Sequence, residues 1–191
     1  MQRREALRFL GAAITIPFLP RSAERAIELG ERLHREPQAT YRTLDRDQQA
    51  LVTELAEMII PETDTPGATR VRVPEFIDLM LTEWATDDER AKFVAGLADI
   101  DKRAASLGAR RQSTQEPARR FSELPAANKL DLATRLDAAR HDATGAGHAF
   151  GQLKELTVYA YFTSKPVVDT ILKTQMFFDG YHGNAPFAPA P

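Results

Sequence analysis

Apolar positions recur along this chain at intervals of three and four nearly throughout, and period-two runs of β-branched residues are missing, so the pattern predicts helices and no sheet. Leu51, Leu55, Met58 and Ile59 fall at i, i+4, i+7 and i+8 and mark the buried face of one helix. Asp45, with Gln48 three residues on, reads as its capping box, in which each side chain satisfies a backbone N–H of the other residue. Pro61 lacks the N–H that a further turn needs and stops that helix. Pro74 suits the first turn of the next, whose apolar side is Phe76, Ile77, Met80, Leu81 and Trp84. Thr86 and Glu89 repeat the capping box ahead of a helix that turns Phe93, Val94, Leu97, Ile100 and Ala104 inward, with Gly108 as its expected stop. Residues 109–120 carry no apolar periodicity and are expected as a solvated loop. Pro125 opens a helix with Leu130, Leu132 and Leu136 on its apolar side. A long helix is expected from about Gly147 through Phe150, Leu153, Leu156, Thr157 and Ala160, then a shorter one after Pro166. The expected fold is all-α, a single compact helical domain of about six helices over residues 43–191, with an irregular Pro-, Gly- and Asn-containing tail from about residue 180.

Between the first two of these helices lies Glu62-Thr63-Asp64-Thr65-Pro66-Gly67-Ala68. Pro66 and Gly67 suit positions i+1 and i+2 of a type II turn, where glycine supplies a positive φ, and Asp64 is expected to accept from the backbone two residues on. Asp64, Pro66 and Gly67 therefore read as a structural turn. Glu62 and Asp64 also form a carboxylate pair of the kind that serves acid–base chemistry or calcium binding.

The first 23 residues follow another logic. Arg3, Arg4 and Arg8 precede the mostly apolar stretch Phe9 to Leu19, the layout of a bacterial export signal. Arg3, Arg4 and Leu7 resemble a twin-arginine signal, whose pathway carries folded cargo. Ala6 stands where that pattern prefers Phe, and Ala23 is the nearest candidate cleavage position. An amphipathic N-terminal helix, or an uncleaved tether at a membrane surface, is the alternative. Residues 24–42, with Ala26, Leu29 and Leu33 among charges, read as a surface helix or linker. No apolar run is long enough to span a bilayer, so membrane contact is expected only peripherally or through the N-terminal segment. Net charge is −2, but without the four arginines and one glutamate of the first 23 residues the body carries 21 basic against 26 acidic groups. Such a body has no electrostatic reason to seek nucleic acid.

Cysteine is absent, which excludes disulfides, thiol catalysis, cysteine-ligated iron–sulfur clusters, thiolate zinc sites and C-x-x-C-H haem attachment. Gly145-Ala-Gly147-His-Ala-Phe-Gly151 falls short of a dinucleotide fingerprint: its third glycine is one place late and no strand precedes it, so a flexible helix start is expected. His141, Asp142 and His148 invite a metal, but spacing points to no third ligand once the glycines break the helix between them. No G-x-S-x-G, Walker or H-E-x-x-H motif occurs, and the residues show no catalytic constellation. Eight of the fifteen aromatic residues lie in the last 42 positions. Tyr161, Phe162, Phe177, Phe178, Tyr181 and Phe187 are candidates for a partner interface, because aromatic anchors beside irregular backbone suit one. A tail packed on its own domain is the alternative.

Several blocks together resemble a known family. They are Arg3-Arg4-Glu5-Ala6-Leu7, Thr43-Leu44-Asp45, Met58-Ile59-Ile60-Pro61, Thr63-Asp64-Thr65-Pro66-Gly67-Ala68, Val73-Pro74-Glu75-Phe76-Ile77-Asp78, and Leu153-Lys154-Glu155-Leu156-Thr157 to Tyr161-Phe162-Thr163-Ser164. In them the chain is similar to the gluconate 2-dehydrogenase subunit 3 family over most of residues 1–165. The resemblance implies a small, non-catalytic subunit of a periplasmic dehydrogenase that oxidises gluconate, glucose, fructose or glycosides. It implies a large partner of the glucose–methanol–choline oxidoreductase type, which holds the FAD and the catalytic residues, and in many members a cytochrome c subunit. No cofactor is expected in this chain. Export through the twin-arginine route would then let the small subunit escort its folded partner. Two other readings stay open: a stand-alone exported helical binding protein, and a subunit that lends Tyr181 or His182 to its partner's active site.

Overall fold

The computed structural model describes residues 41–111 and 120–172. Its helices, in chain order, are α1 (Arg46–Ile59), α2 (Val73–Glu83), α3 (Asp87–Arg111), a 3-10 turn (Phe121–Glu123), α4 (Ala126–Ala138), α5 (Gly145–Thr163) and the short α6 (Lys165–Val167), which runs into a π-helical turn (Val168–Leu172). No strand occurs among the described residues, as the apolar spacing predicts.

The helix starts follow local chemistry. The Asp45 carboxylate accepts from the N–H groups of Asp47 and Gln48, both at 2.9 Å, and the Gln48 side chain accepts from the Asp45 N–H at 3.0 Å. In the same manner the Thr86 N–H donates to the Glu89 carboxylate at 2.9 Å and the Glu89 N–H donates to the Thr86 hydroxyl oxygen at 3.3 Å. Helix α1 ends at Ile60, whose N–H still reaches the Ala56 carbonyl, and Pro61 supplies no further donor.

α5 is the axis of the molecule. It packs against α1, α2, α3 and α4, and its residues 149–153 are all buried, so it meets neighbours on every side. That placement explains its start. A side chain on Gly147 would come within 2.7 Å of the Ala139 Cβ and nearer still to the Ala139 carbonyl oxygen. The glycines of this segment thus admit the end of α4 against α5; Gly145 alone among them takes a positive φ, 81°. The flexible start expected from sequence is a close packing joint.

Three further expectations are corrected. α3 runs through Gly108 to Arg111, because a glycine weakens a helix without ending it unless the backbone turns left-handed. Leu130 is 64% exposed: two positions from Leu132, it lies about 200° around the helix from it, while Leu132, Ala133 and Leu136 face the core. Val94, Met58 and Ile59 are only half-buried.

Candidate functional site

One pole of the body gathers most of the blocks singled out in the sequence. The Tyr161 hydroxyl, near the end of α5, donates to the Pro66 carbonyl at 2.8 Å, and its ring is only 4% exposed. Two residues earlier, Tyr159 lies 6.1 Å, centroid to centroid, from Phe76 on α2. Tyr41, where the described chain begins, sits among Thr53, Arg72, Glu75 and Asp78. Burial, then the charges of Glu75 and Asp78, push its phenol up to about 12.

The loop between α1 and α2 is held by a carboxylate. Glu57 accepts from the N–H groups of Glu62 at 2.9 Å and Thr69 at 3.0 Å, and the Ala68 N–H closes the loop onto the Ile60 carbonyl at 2.9 Å. Partial burial works to raise the Glu57 pKa, but the hydrogen bonds from Thr69 and Glu62 outweigh it and hold the carboxyl below its ordinary range. The loop is not the type II turn that Pro66-Gly67 predicts. Among the described residues only Arg72 and Gly145 have positive φ. Gly67 is needed for space: a Cβ there would stand 2.7 Å from the Glu62 nitrogen and closer to the Glu57 carboxylate. Arg72 takes the left-handed conformation, φ 63°, at the N-cap of α2. Asp64 accepts from the Thr63 hydroxyl at 3.0 Å, whereas Thr63, not Asp64, accepts from the backbone two residues on. Glu62 is exposed and pairs with Arg70 at 3.4 Å.

Asp78 is the residue whose role the sequence did not disclose. Buried on α2, it accepts from the Arg42 N–H at 2.8 Å, the Thr43 N–H at 3.0 Å and the Leu44 N–H at 2.8 Å. It pins the chain ahead of α1 along α2. The only trace in sequence is an acidic residue among the apolar positions of α2, which could equally have faced solvent.

The interface candidates divide. Tyr161 is corrected to a core residue, because its ring is enclosed and its hydroxyl is engaged by Pro66. Phe162 is 47% exposed and lies edge-on to Tyr161, 5.3 Å between centroids. Phe177, Phe178, Tyr181, His182 and Phe187 lie outside the described residues, as do Arg3, Arg4 and Leu7. His148 packs its Nδ1 against the Asp142 carbonyl at 3.0 Å, about 21 Å along α5 from Phe162. Among the described residues no group of three or more His, Asp and Glu is arranged to hold a metal. No described helix is long and apolar enough to cross a membrane.

The family model described as gluconate 2-dehydrogenase subunit 3 matches residues 46–180. The chain belongs to that family. The match begins at the first residue of α1 and runs through α6 and the π-helical turn as far as Gly180. Membership places the chain among the subunits of a dehydrogenase complex of the gluconate 2-dehydrogenase kind. Four of the blocks that carried the resemblance meet in two pairs: Asp78 holds Thr43 and Leu44, and Tyr161 holds Pro66. No curated protein and no solved structure matches the chain.

Proposed function

We propose that this chain is the non-catalytic small subunit of an exported FAD-dependent dehydrogenase that oxidises gluconate, glucose or glycosides. The observation that carries the reading is the subunit 3 match across the whole helical body, from α1 to Gly180. The flavin and the reacting groups belong to a large glucose–methanol–choline-type subunit, and a cytochrome c takes the electrons onward. The Arg3-Arg4 segment supplies the physical logic of the pairing. A flavoprotein acquires FAD by folding around it, so it must cross the membrane folded. A bound small subunit with a twin-arginine signal carries it to the periplasm. Binding also stabilises the partner by mass action, about 4 kcal/mol when the subunit is present at a thousand times its Kd.

The test is co-expression with a candidate large glucose–methanol–choline-type flavoprotein subunit from the same source. The full chain should co-purify with yellow, FAD-containing protein, and deleting residues 1–20 should leave dehydrogenase activity in the cytoplasm. Undiminished periplasmic activity after the deletion would refute the escort role, and a colourless, partnerless purification would refute the subunit role.

A further inference from the structure

The 3-10 turn Phe121–Glu123 packs against both α1 and α3, and it is held there in two ways. Its apolar hold is Phe121, which is fully buried, followed at once by the buried Leu124. Its polar hold is a charge cluster drawn from three elements. The Asp101 carboxylate on α3 accepts from the Phe121 N–H at 2.9 Å, and Arg120, just ahead of the turn, pairs with Asp47 in the first turn of α1. Glu123, the last residue of the turn, adds a third carboxylate. Both partners of the Arg120–Asp47 pair are about half-exposed, and ion pairs of that kind contribute little to holding a fold together.

Asp101 is the member of the cluster that is poorly compensated. It is part-buried, and the charged groups that face it are Asp47 on α1, Arg120, and Glu123 on the turn, one cation against two further anions. On α3 itself Lys102, its neighbour in sequence, is engaged by Asp99 at 2.9 Å. We propose that Asp101 works as a proton-operated latch: with its carboxyl neutral the turn stays seated on α1 and α3, and with the carboxylate ionised beside Asp47 and Glu123 the turn opens more readily.

Opening carries the turn away from Asp101 and returns the carboxylate to water, so loss of the proton and release of the turn favour each other. The balance at the carboxyl has the required sign. Burial, with Asp47 and Glu123 behind it, raises the group above its ordinary 3.8 against the opposing Phe121 N–H and Arg120. At neutral pH the seated turn bears that cost and opening relieves it; in acid there is no charge to relieve. The latch needs neither the enzyme partner nor the export signal.

Amide hydrogen exchange in the full chain reads the latch directly. The opening equilibrium at Phe121 is its exchange rate divided by that of an unstructured peptide at the same pH, for the parent and for Asp101→Asn, whose amide oxygen still accepts from Phe121 without a charge. The ratio of parent to variant opening should rise about three-fold or more from about pH 3.5 to pH 7, the effect of a half-unit shift. A ratio that does not change with pH overturns the proposal. At pH 7 the Phe121 amide of the parent should also open about ten-fold or more often than the amide of Leu97 in the middle of α3. Equal opening means that the turn moves only when the whole body unfolds, and this too overturns the latch. Should Asp101→Asn fail to fold, direct titration of the Asp101 carboxyl in the parent by its carbon-13 chemical shift decides the matter: a midpoint above 3.8 supports the latch, and one at or below 3.8 overturns it.

Discussion

The hydroxyl of Tyr161 and the carbonyl of Pro66, 95 residues apart in sequence, are joined by a 2.8 Å hydrogen bond. It ties the loop after α1 to the last turn of α5, where Phe162 is exposed. The loop is anchored at its other flank by Glu57, and the Ala68 N–H closes it onto the Ile60 carbonyl.

Tyr161→Phe removes the donor and leaves the Pro66 carbonyl in a part-buried position without it. An unsatisfied acceptor of this kind costs about 1–3 kcal/mol. Urea unfolding of the variant should show a midpoint loss of that size with an unchanged m value. A loss below about 0.5 kcal/mol would mean that water replaces the phenol without penalty.

Asp78 should matter more. Asp78→Ala orphans three backbone N–H groups at once and should lower stability by about 3 kcal/mol or more. Asp78→Asn keeps the oxygen that serves Thr43 and Leu44 but turns an amide donor toward the Arg42 N–H, so its loss should be intermediate. Hydrogen exchange at residues 42–44 checks the assignment: those amides should lose protection first in both variants.

Local signals made much of the fold legible. The Asp45–Gln48 and Thr86–Glu89 boxes and the Pro61 stop need only residues within one turn of each other, and each occurs as its residues predict. What escaped depends on neighbours distant in sequence. Gly67 looks like a turn glycine until Glu57, ten residues earlier, is seen to fill the space beside it. Asp78 looks like a surface carboxylate until the chain ahead of α1 is laid along α2. Tyr161 looks like an interface aromatic because its neighbour Phe162 is exposed, yet adjacent helix positions point about 100° apart and only one of them meets Pro66. The signal arginines and the tail aromatics lie outside the described residues, so no packing can be set beside their sequence pattern.

Gly147→Ala tests the joint between α4 and α5. The added methyl meets the Ala139 Cβ and backbone carbonyl, neither of which is the movable end of a long side chain. Overpacking of this kind costs about 1–3 kcal/mol, which outweighs the gain of up to about 1 kcal/mol that alanine brings over glycine within a helix. Thermal unfolding should show a net destabilisation. A stabilised variant would mean that the two helix ends slide apart freely.

Glu57 and Asp101 should give stability opposite dependences on pH. The Glu57 carboxyl is held below its ordinary value of 4.5 by the hydrogen bonds from Thr69 and Glu62, which overcome its partial burial. The unfolded chain then binds the proton more readily, so this contribution is present above about pH 4.5 and is lost as pH falls through the depressed folded value. Asp101 is raised above 3.8, chiefly by burial, with the charges of Asp47 and Glu123 adding to the shift. The Phe121 N–H, which it accepts at 2.9 Å, and Arg120 oppose it. Here the folded state binds the proton more readily, so the ionised group costs stability once pH exceeds its raised folded value, and the cost disappears on acidification. Asp101→Asn keeps an acceptor for Phe121 without the charge. It should raise the melting temperature at pH 7 and converge with the parent chain below about pH 4. Glu57→Gln should do the reverse, lowering the melting temperature at pH 7 and reducing the gap as acid removes the charge from the parent. Parallel melting curves for either variant across pH 3–7 would rule out ionisation as the cause of its effect.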